Sequence, residues 1–207
     1  MVLSPYEQLN YSFKIVKKQI LRYNFHMNHR IFIAINFPED LKKRVLECQN
    51  KLKKFGWPVR WVRESNFELC LKFLGSVEDK DLERLKKIVN EIVNRHKSFT
   101  MEFKDLIVFP NLNRPRIIAI KVLDNDQLLG LASELSSRID QENIGQRDDK
   151  PFRGHITLGR VKNPHGHWQA LSKIKFADSF TVKSAEVMES KLTSQGAVYT
   201  VVKSFEL

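Results

Sequence analysis

The sequence predicts an α+β protein with two similar lobes, each of strands and outer helices, sharing a central groove. Three observations carry that expectation. Runs suited to strands alternate with amphipathic helical stretches from about Arg30 to the C-terminus, each with its own apolar period. The strand and helix pattern of the first half returns in the second, as two packed lobes would require. Each half also contains one strand of alternating polar and apolar residues, Glu68-Leu69-Cys70-Leu71 and His155-Ile156-Thr157-Leu158.

Taken in order, Arg30 to Ile35 is a short apolar run suited to a buried strand. Pro38-Glu39-Asp40 opens a helix whose Leu41, Val45, Cys48, Leu52 and Phe55 recur on one face. Arg60 to Val62 is a second strand, and Phe67 to Phe73, ended by Gly75, is a third. Asp79 to His96 is an amphipathic helix with Leu82, Leu85, Val89 and Ile92 inward. In the second half, strands are expected over Phe103 to Phe109 and Arg116 to Leu123, followed by a helix from Asp126 to Glu142. His155 to Val161 is a strand, and Phe180 to Ser190 pairs with Val198 to Phe205 as a hairpin turning at Ser194-Gln195-Gly196. The polar loop Asn143 to Phe152 is expected to be mobile.

The domain is expected to occupy residues 28–207. Residues 1–27 read as a weak basic amphipathic extension, with Lys14, Lys17, Lys18 and Arg22 among Phe13, Val16, Ile20 and Tyr23. An RNA- or membrane-touching arm, an extra packed helix and a start codon upstream of a true start at Met27 compete here, and the last is favoured.

Composition narrows the class. Of 207 residues, 42% are hydrophobic and 29% charged, an ordinary soluble balance. No apolar run approaches the roughly 18–20 residues of a membrane span. Two cysteines, Cys48 and Cys70, are too few for a disulfide framework or a zinc site, so a cytoplasmic setting is expected. The net charge of +11 favours a polyanionic partner, nucleic acid first.

The chemistry concentrates in one segment. On a strand His155 and Thr157 share a face, while Ile156 and Leu158 anchor the other. An imidazole that titrates near neutrality thus stands beside a hydroxyl able to hold a phosphate oxygen. Arg153 and Arg160 flank the pair, and arginine's planar fork suits phosphate. By the same alternation Glu68 and Cys70 share a face, and Lys72 is expected to add positive charge to the groove or to be exposed. His165 and His167 fall in an expected surface loop, His96 ends a helix, and His26 and His29 flank the presumed start.

From Arg30 to Leu207 the chain resembles the 2′-5′ RNA ligase and RNA 2′,3′-cyclic phosphodiesterase family of the two-histidine phosphoesterase superfamily. The resemblance runs through Arg30-Ile31-Phe32-Ile33-Ala34-Ile35, Val59 to Phe67, and Leu71-Lys72-Phe73-Leu74-Gly75. It continues in Val108-Phe109-Pro110-Asn111, Arg114-Pro115-Arg116, Pro151 to Arg160, Met188 to Leu192 and Gly196-Ala197-Val198-Tyr199. It implies a bilobal fold of antiparallel sheets with helices outside, and a groove lined by two His-x-Thr strands acting as a general acid and base without metal or other cofactor. The implied partners are RNA with 2′,3′-cyclic phosphate ends, tRNA fragments among them, or cyclic nucleotides. The implied reaction is hydrolysis to a 2′-phosphate, with 2′-5′ ligation as the related joining activity, by a monomer. His155 would be the base, Thr157 would steady a phosphate oxygen, and Arg153 and Arg160 would neutralise charge.

The first motif departs from the family. Glu68-Leu69-Cys70 stands where the resemblance implies His-x-Thr, so Glu68 takes the place of the acid and Cys70 that of the threonine. A carboxylic acid with an ordinary pKa of about 4.3 is ionised at neutral pH, and only burial or a nearby anion would let it donate. Ala119 also stands where the family often has tryptophan. Three readings follow: a weakened enzyme using His155 and Glu68, a pseudoenzyme that binds RNA ends without turnover, and a Cys70 nucleophile with His155 as its base.

Overall fold

The computed structural model describes residues 28–207 apart from Asp149, His167 and Gln195. The readings of residues 1–27, of His26 and of His167 therefore lie outside the described residues. Strands run as β1 (Asn28–Asn36), β2 (Val59–Trp61), β3 (Glu68–Glu78), β4 (Phe99–Phe109), β5 (Ile117–Val122), β6 (His155–Val161), β7 (Ala177–Val182), β8 (Ser184–Thr193) and β9 (Gly196–Glu206). Helices are α1 (Glu39–Lys53), α2 (Asp79–Val93) and α3 (Asp126–Gln141). No described helix is long and apolar enough to cross a membrane.

Each helix starts where local chemistry favours it. Glu39 and Asp40 occupy the first turn of α1 and Asp79 and Asp81 that of α2, where carboxylates meet the positive end of the helix dipole. The Asn125 side chain accepts a hydrogen bond from Leu128 N at 2.7 Å and caps α3. The turn after α1 passes through Gly56 at φ +67°, a left-handed conformation that suits glycine. Phe55 therefore falls beyond the helix and stacks on Trp57 at 4.5 Å. The apolar stripes of all three helices bury Leu41, Val45, Leu85, Val89, Leu131 and Leu135 in one core shared by both sheets.

The strands form two antiparallel sheets, in the orders β3-β1-β8-β9 and β2-β6-β5-β4-β7. The expected division into sequential halves is corrected here. From the first half, β2 crosses to pair with β6, and from the second half, β8 and β9 return to pair beside β1. The stretch Phe180 to Ser190, expected as one hairpin strand, splits at Lys183: β7 pairs with β4, and β8 enters the other sheet. The apolar alternation changes phase there, from Phe180 and Val182 to Ala185 and Val187, and alternation does not encode which strand will be the partner.

Two β-bulges determine which side chains face the groove. Along β3, Cys70 pairs with Ala34 but Lys72 with Ile33, so Leu71 is the extra residue. Along β6, Thr157 pairs with Ala119 but Gly159 with Ile118, so Leu158 is the extra residue. An inserted residue reverses the alternation beyond it. Glu68, Cys70 and Phe73 consequently share one face in the first lobe, and His155, Thr157 and Arg160 share one face in the second.

Gln49 of α1 supports the second bulge. Its side chain is fully buried, and Nε2 donates to Val62 O at 2.8 Å and to Leu158 O at 2.9 Å. Val62 N donates to the same Leu158 carbonyl at 2.9 Å. Removing the amide takes this donor from the Val62 carbonyl and leaves the Leu158 carbonyl with Val62 N, so Gln49→Ala should cost about 1–3 kcal/mol in chemical denaturation. It should also lower turnover, because Leu158 sets the direction of Arg160.

The loop after α3 is tied to β3 at Gln146 and Asp148. Gln146 N donates to Leu74 O at 2.8 Å on the outer edge of β3. A Cβ on Gly145, whose φ is +68°, would meet Leu74 O at 2.5 Å, so only glycine allows this approach. Asp148 reaches the buried Lys72 ammonium at 3.5 Å. His29 is likewise structural: its ring nitrogens bridge Glu189 and Asp79, each at 2.8 Å. His96 pairs with Glu134 at 2.9 Å, and His165 is exposed.

Candidate active site

β3 and β6 belong to different sheets, yet their Cα atoms approach within 8 Å. This brings the Glu68 strand and the His155 strand together. His155 Nδ1 lies 2.7 Å from the Arg153 carbonyl. A carbonyl only accepts, so Nδ1 carries the proton and Nε2 is the basic nitrogen of the neutral ring. Burial, and secondarily the Arg160 charge, hold the His155 pKa below its ordinary 6.5. The Phe109 ring lies 5.0 Å from the imidazole and forms part of its apolar surround. The imidazole is therefore neutral at pH 7 and can accept a proton.

Glu68 has the opposite environment. Its Oε2 is buried with no hydrogen-bond partner among the described residues, and burial raises the carboxyl from 4.5 to about 8. The group is consequently a neutral acid at pH 7, able to give a proton. Cys70 stands two residues on, opposite Ala34. Burial, with Glu68 and Asp148 adding negative charge nearby, raises its thiol well above 9.0. Without a thiolate the Cys70 nucleophile reading has no support, since the thiolate is the attacking form.

Tyr199 lines the Glu68 side of the site, a position the sequence reading missed. Its ring meets Phe32 edge-on at 4.8 Å and packs in a small groove-side cluster with Ala34, Met188, Cys70 and Phe73. Its hydroxyl is raised above 10.0 by burial first, then by Glu68, while Arg160 of the other sheet and Arg30 act in the opposite sense. One phenol thus feels charges from both lobes. The signal available in the sequence was an aromatic residue just after the hairpin turn, which reads equally well as packing.

The other expected residues divide. Thr157 is half-buried beside His155, and Arg160 is exposed on the same face. Arg153 precedes β6, so strand alternation does not apply to it; its carbonyl holds His155 while its side chain is exposed. Lys72 is a correction. It is 1% exposed, with Nζ at 2.9 Å from Asp140, 3.0 Å from Ser136 Oγ and 3.5 Å from Asp148. The Leu71 bulge turns it away from the groove and under α3. Lys121, by contrast, lies directly opposite His155 in the β5–β6 register and is exposed. A depression of about 560 Å³ between Val108, Leu112 and Trp168 shares no residue with this face.

A neutral base and a neutral acid, with Arg160 on the face of the base and without a carboxylate partner among the described residues, suit acid–base chemistry on an anionic ester. A family model for LigT-like phosphoesterases matches residues 35–119. The chain is 32% identical over 175 residues to an RNA 2′,3′-cyclic phosphodiesterase of Thermotoga maritima, across 84% of this chain and 92% of that one. It is 30% identical over 181 residues to an RNA 2′,3′-cyclic phosphodiesterase of Methanocaldococcus jannaschii, across 85% and 99%. The crystal structure of TT0787 of Thermus thermophilus matches with a TM-score of 0.75 at 27% identity, across 86% of this chain and 97% of that one. Escherichia coli LigT complexed with 3′-AMP shares the fold, with a TM-score of 0.70 at 24% identity across 87% and 99%. The chain belongs to the LigT-like family of two-histidine phosphoesterases.

Proposed function

We propose that this protein hydrolyses the 2′,3′-cyclic phosphate at RNA ends and leaves a 2′-phosphate. What carries this reading is the pairing of two half-buried groups on facing strands, His155 held neutral and basic, Glu68 held neutral and acidic. His155 Nε2 takes a proton from water as its oxygen attacks phosphorus. The bond from phosphorus to the 3′-oxygen breaks, and Glu68 gives its proton to that leaving oxygen. Thr157 steadies a phosphate oxygen, Arg160 and Arg153 balance the charge, and Cys70 supplies only a weak donor where threonine would be stronger. Ligation of RNA ends through a 2′-5′ linkage would use the same groove. The setting proposed is the cytoplasm, with the protein acting as a monomer on RNA fragments or cyclic nucleotides.

The test is turnover of an oligonucleotide ending in a 2′,3′-cyclic phosphate, with His155→Ala and Glu68→His beside the wild type. Loss of turnover in His155→Ala and a 2′-phosphate product support the reading. Wild-type protein that binds the oligonucleotide without turnover, and gains activity with Glu68→His, would instead identify an RNA-end-binding protein that has lost its acid.

A further inference from the structure

In the register of β2 against β6, Arg60 lies directly opposite Arg160. Residues opposite one another on antiparallel strands share a face, with Cβ atoms about 4.5–5.5 Å apart, and like charges there are unfavourable unless something answers them. Four other arginines are answered by carboxylates: Arg44 by Asp40 and Asp178, Arg84 by Asp81 and Glu142, Arg95 by Glu134, and Arg138 by Glu142. Neither Arg60 nor Arg160 has a carboxylate partner among the described residues, and both are exposed. β2 is the outer strand of its sheet, so the face beyond Arg60 continues outward. The Leu158 bulge sets Arg160 on the His155 face, and Arg60 lies one strand further from the reacting centre on that face.

We propose that Arg60 holds the phosphate of the nucleotide preceding the cyclic end, so that this site prefers an oligonucleotide to a cyclic mononucleotide. The proposal rests on the groove being an RNA-end site. Arg160 then serves the reacting phosphate and Arg60 the next one along the strand, the two anions answering the paired guanidiniums. Exposed on an edge strand, Arg60 tolerates truncation without loss of a core contact.

The experiment compares pentauridylate ending in a 2′,3′-cyclic phosphate with 2′,3′-cyclic UMP, in wild type and Arg60→Ala. The expected result is a roughly 10-fold fall in the ratio of kcat/KM for the pentamer to that for the mononucleotide. An unchanged ratio overturns the proposal, whether both substrates suffer equally or neither does. A parallel arm measures binding of a fluorescent pentamer ending in a 3′-phosphate across a salt series. There Arg60→Ala should lower the slope of log affinity against log salt by about 0.7, one phosphate contact on a single strand. This arm reads Arg60 even if wild-type turnover is absent, so failure of the hydrolytic reading and failure of the subsite remain distinct.

Discussion

Glu68→Gln should lower kcat roughly 10²–10⁴-fold, the usual cost of a lost general acid, with little change in affinity for the RNA end. The pH dependence gives the sharper signature. His155 works as a base only when neutral, and its pKa lies below 6.5, so activity rises through a limb in the acid range. Glu68 works as an acid only when protonated, so activity falls as pH passes about 8. The Gln variant should keep the acid limb and lose the alkaline one. Stability carries the same sign. The folded carboxyl holds its proton up to about 8 while the unfolded one releases it near 4.5, so stability falls as pH rises between those values. Thermal midpoints of Glu68→Gln should lack that decline. A wild-type profile with no alkaline limb would remove Glu68 as the acid.

The second large effect concerns the buried ammonium. Lys72 is enclosed between β3 and α3, and Asp140 and Asp148 are its counter-charges at 2.9 and 3.5 Å. Asp140→Asn with Asp148→Asn leaves that charge uncompensated, at an expected cost of about 3–5 kcal/mol in urea denaturation. Adding Lys72→Met to the pair should recover much of the loss, because the isolated charge is then gone. Loss of stability that persists in the triple variant would show that the carboxylates act through something other than Lys72.

These two predictions differ in how much of their basis the sequence discloses. Helix positions are legible because Leu82, Leu85, Val89 and Ile92 repeat at a period only a helix can bury. His155 and Thr157 are legible because two residues of a strand share a face. Lys72 is not, because strict alternation from Glu68 carries it into the groove, and only pairing with β1 discloses the extra residue at Leu71. Arg160 escapes the same error on proximity alone; its shared face depends on the Leu158 bulge. Lys121 and Arg60 share the His155 face through register along β5, β6 and β2, and Tyr199 meets Cys70 through packing in its own sheet, neither of which leaves a periodic trace. The loop from Asn143 reads as mobile because it is polar, yet its polar groups are used on the edge of β3 and on Lys72. The state of Glu68 depends on burial, which no neighbouring residue in the chain reveals.

The exchange of strands between the lobes bears on how the protein is made. β1 lies between β3 and β8, and β8 is bordered by β9, which ends at Glu206. The sheet that begins with the first described residue is thus completed by nearly the last. During synthesis β1 and β3 leave the ribosome long before β8 exists, and one side of β1 stays unpaired in the interval. The other sheet likewise holds β2 waiting for β6. Neither wall of the groove can close as an early, independent unit, so the catalytic face forms late and as a whole. Truncation of the terminal hairpin would therefore remove the Glu68 wall, even though Glu68 lies in the first half of the chain.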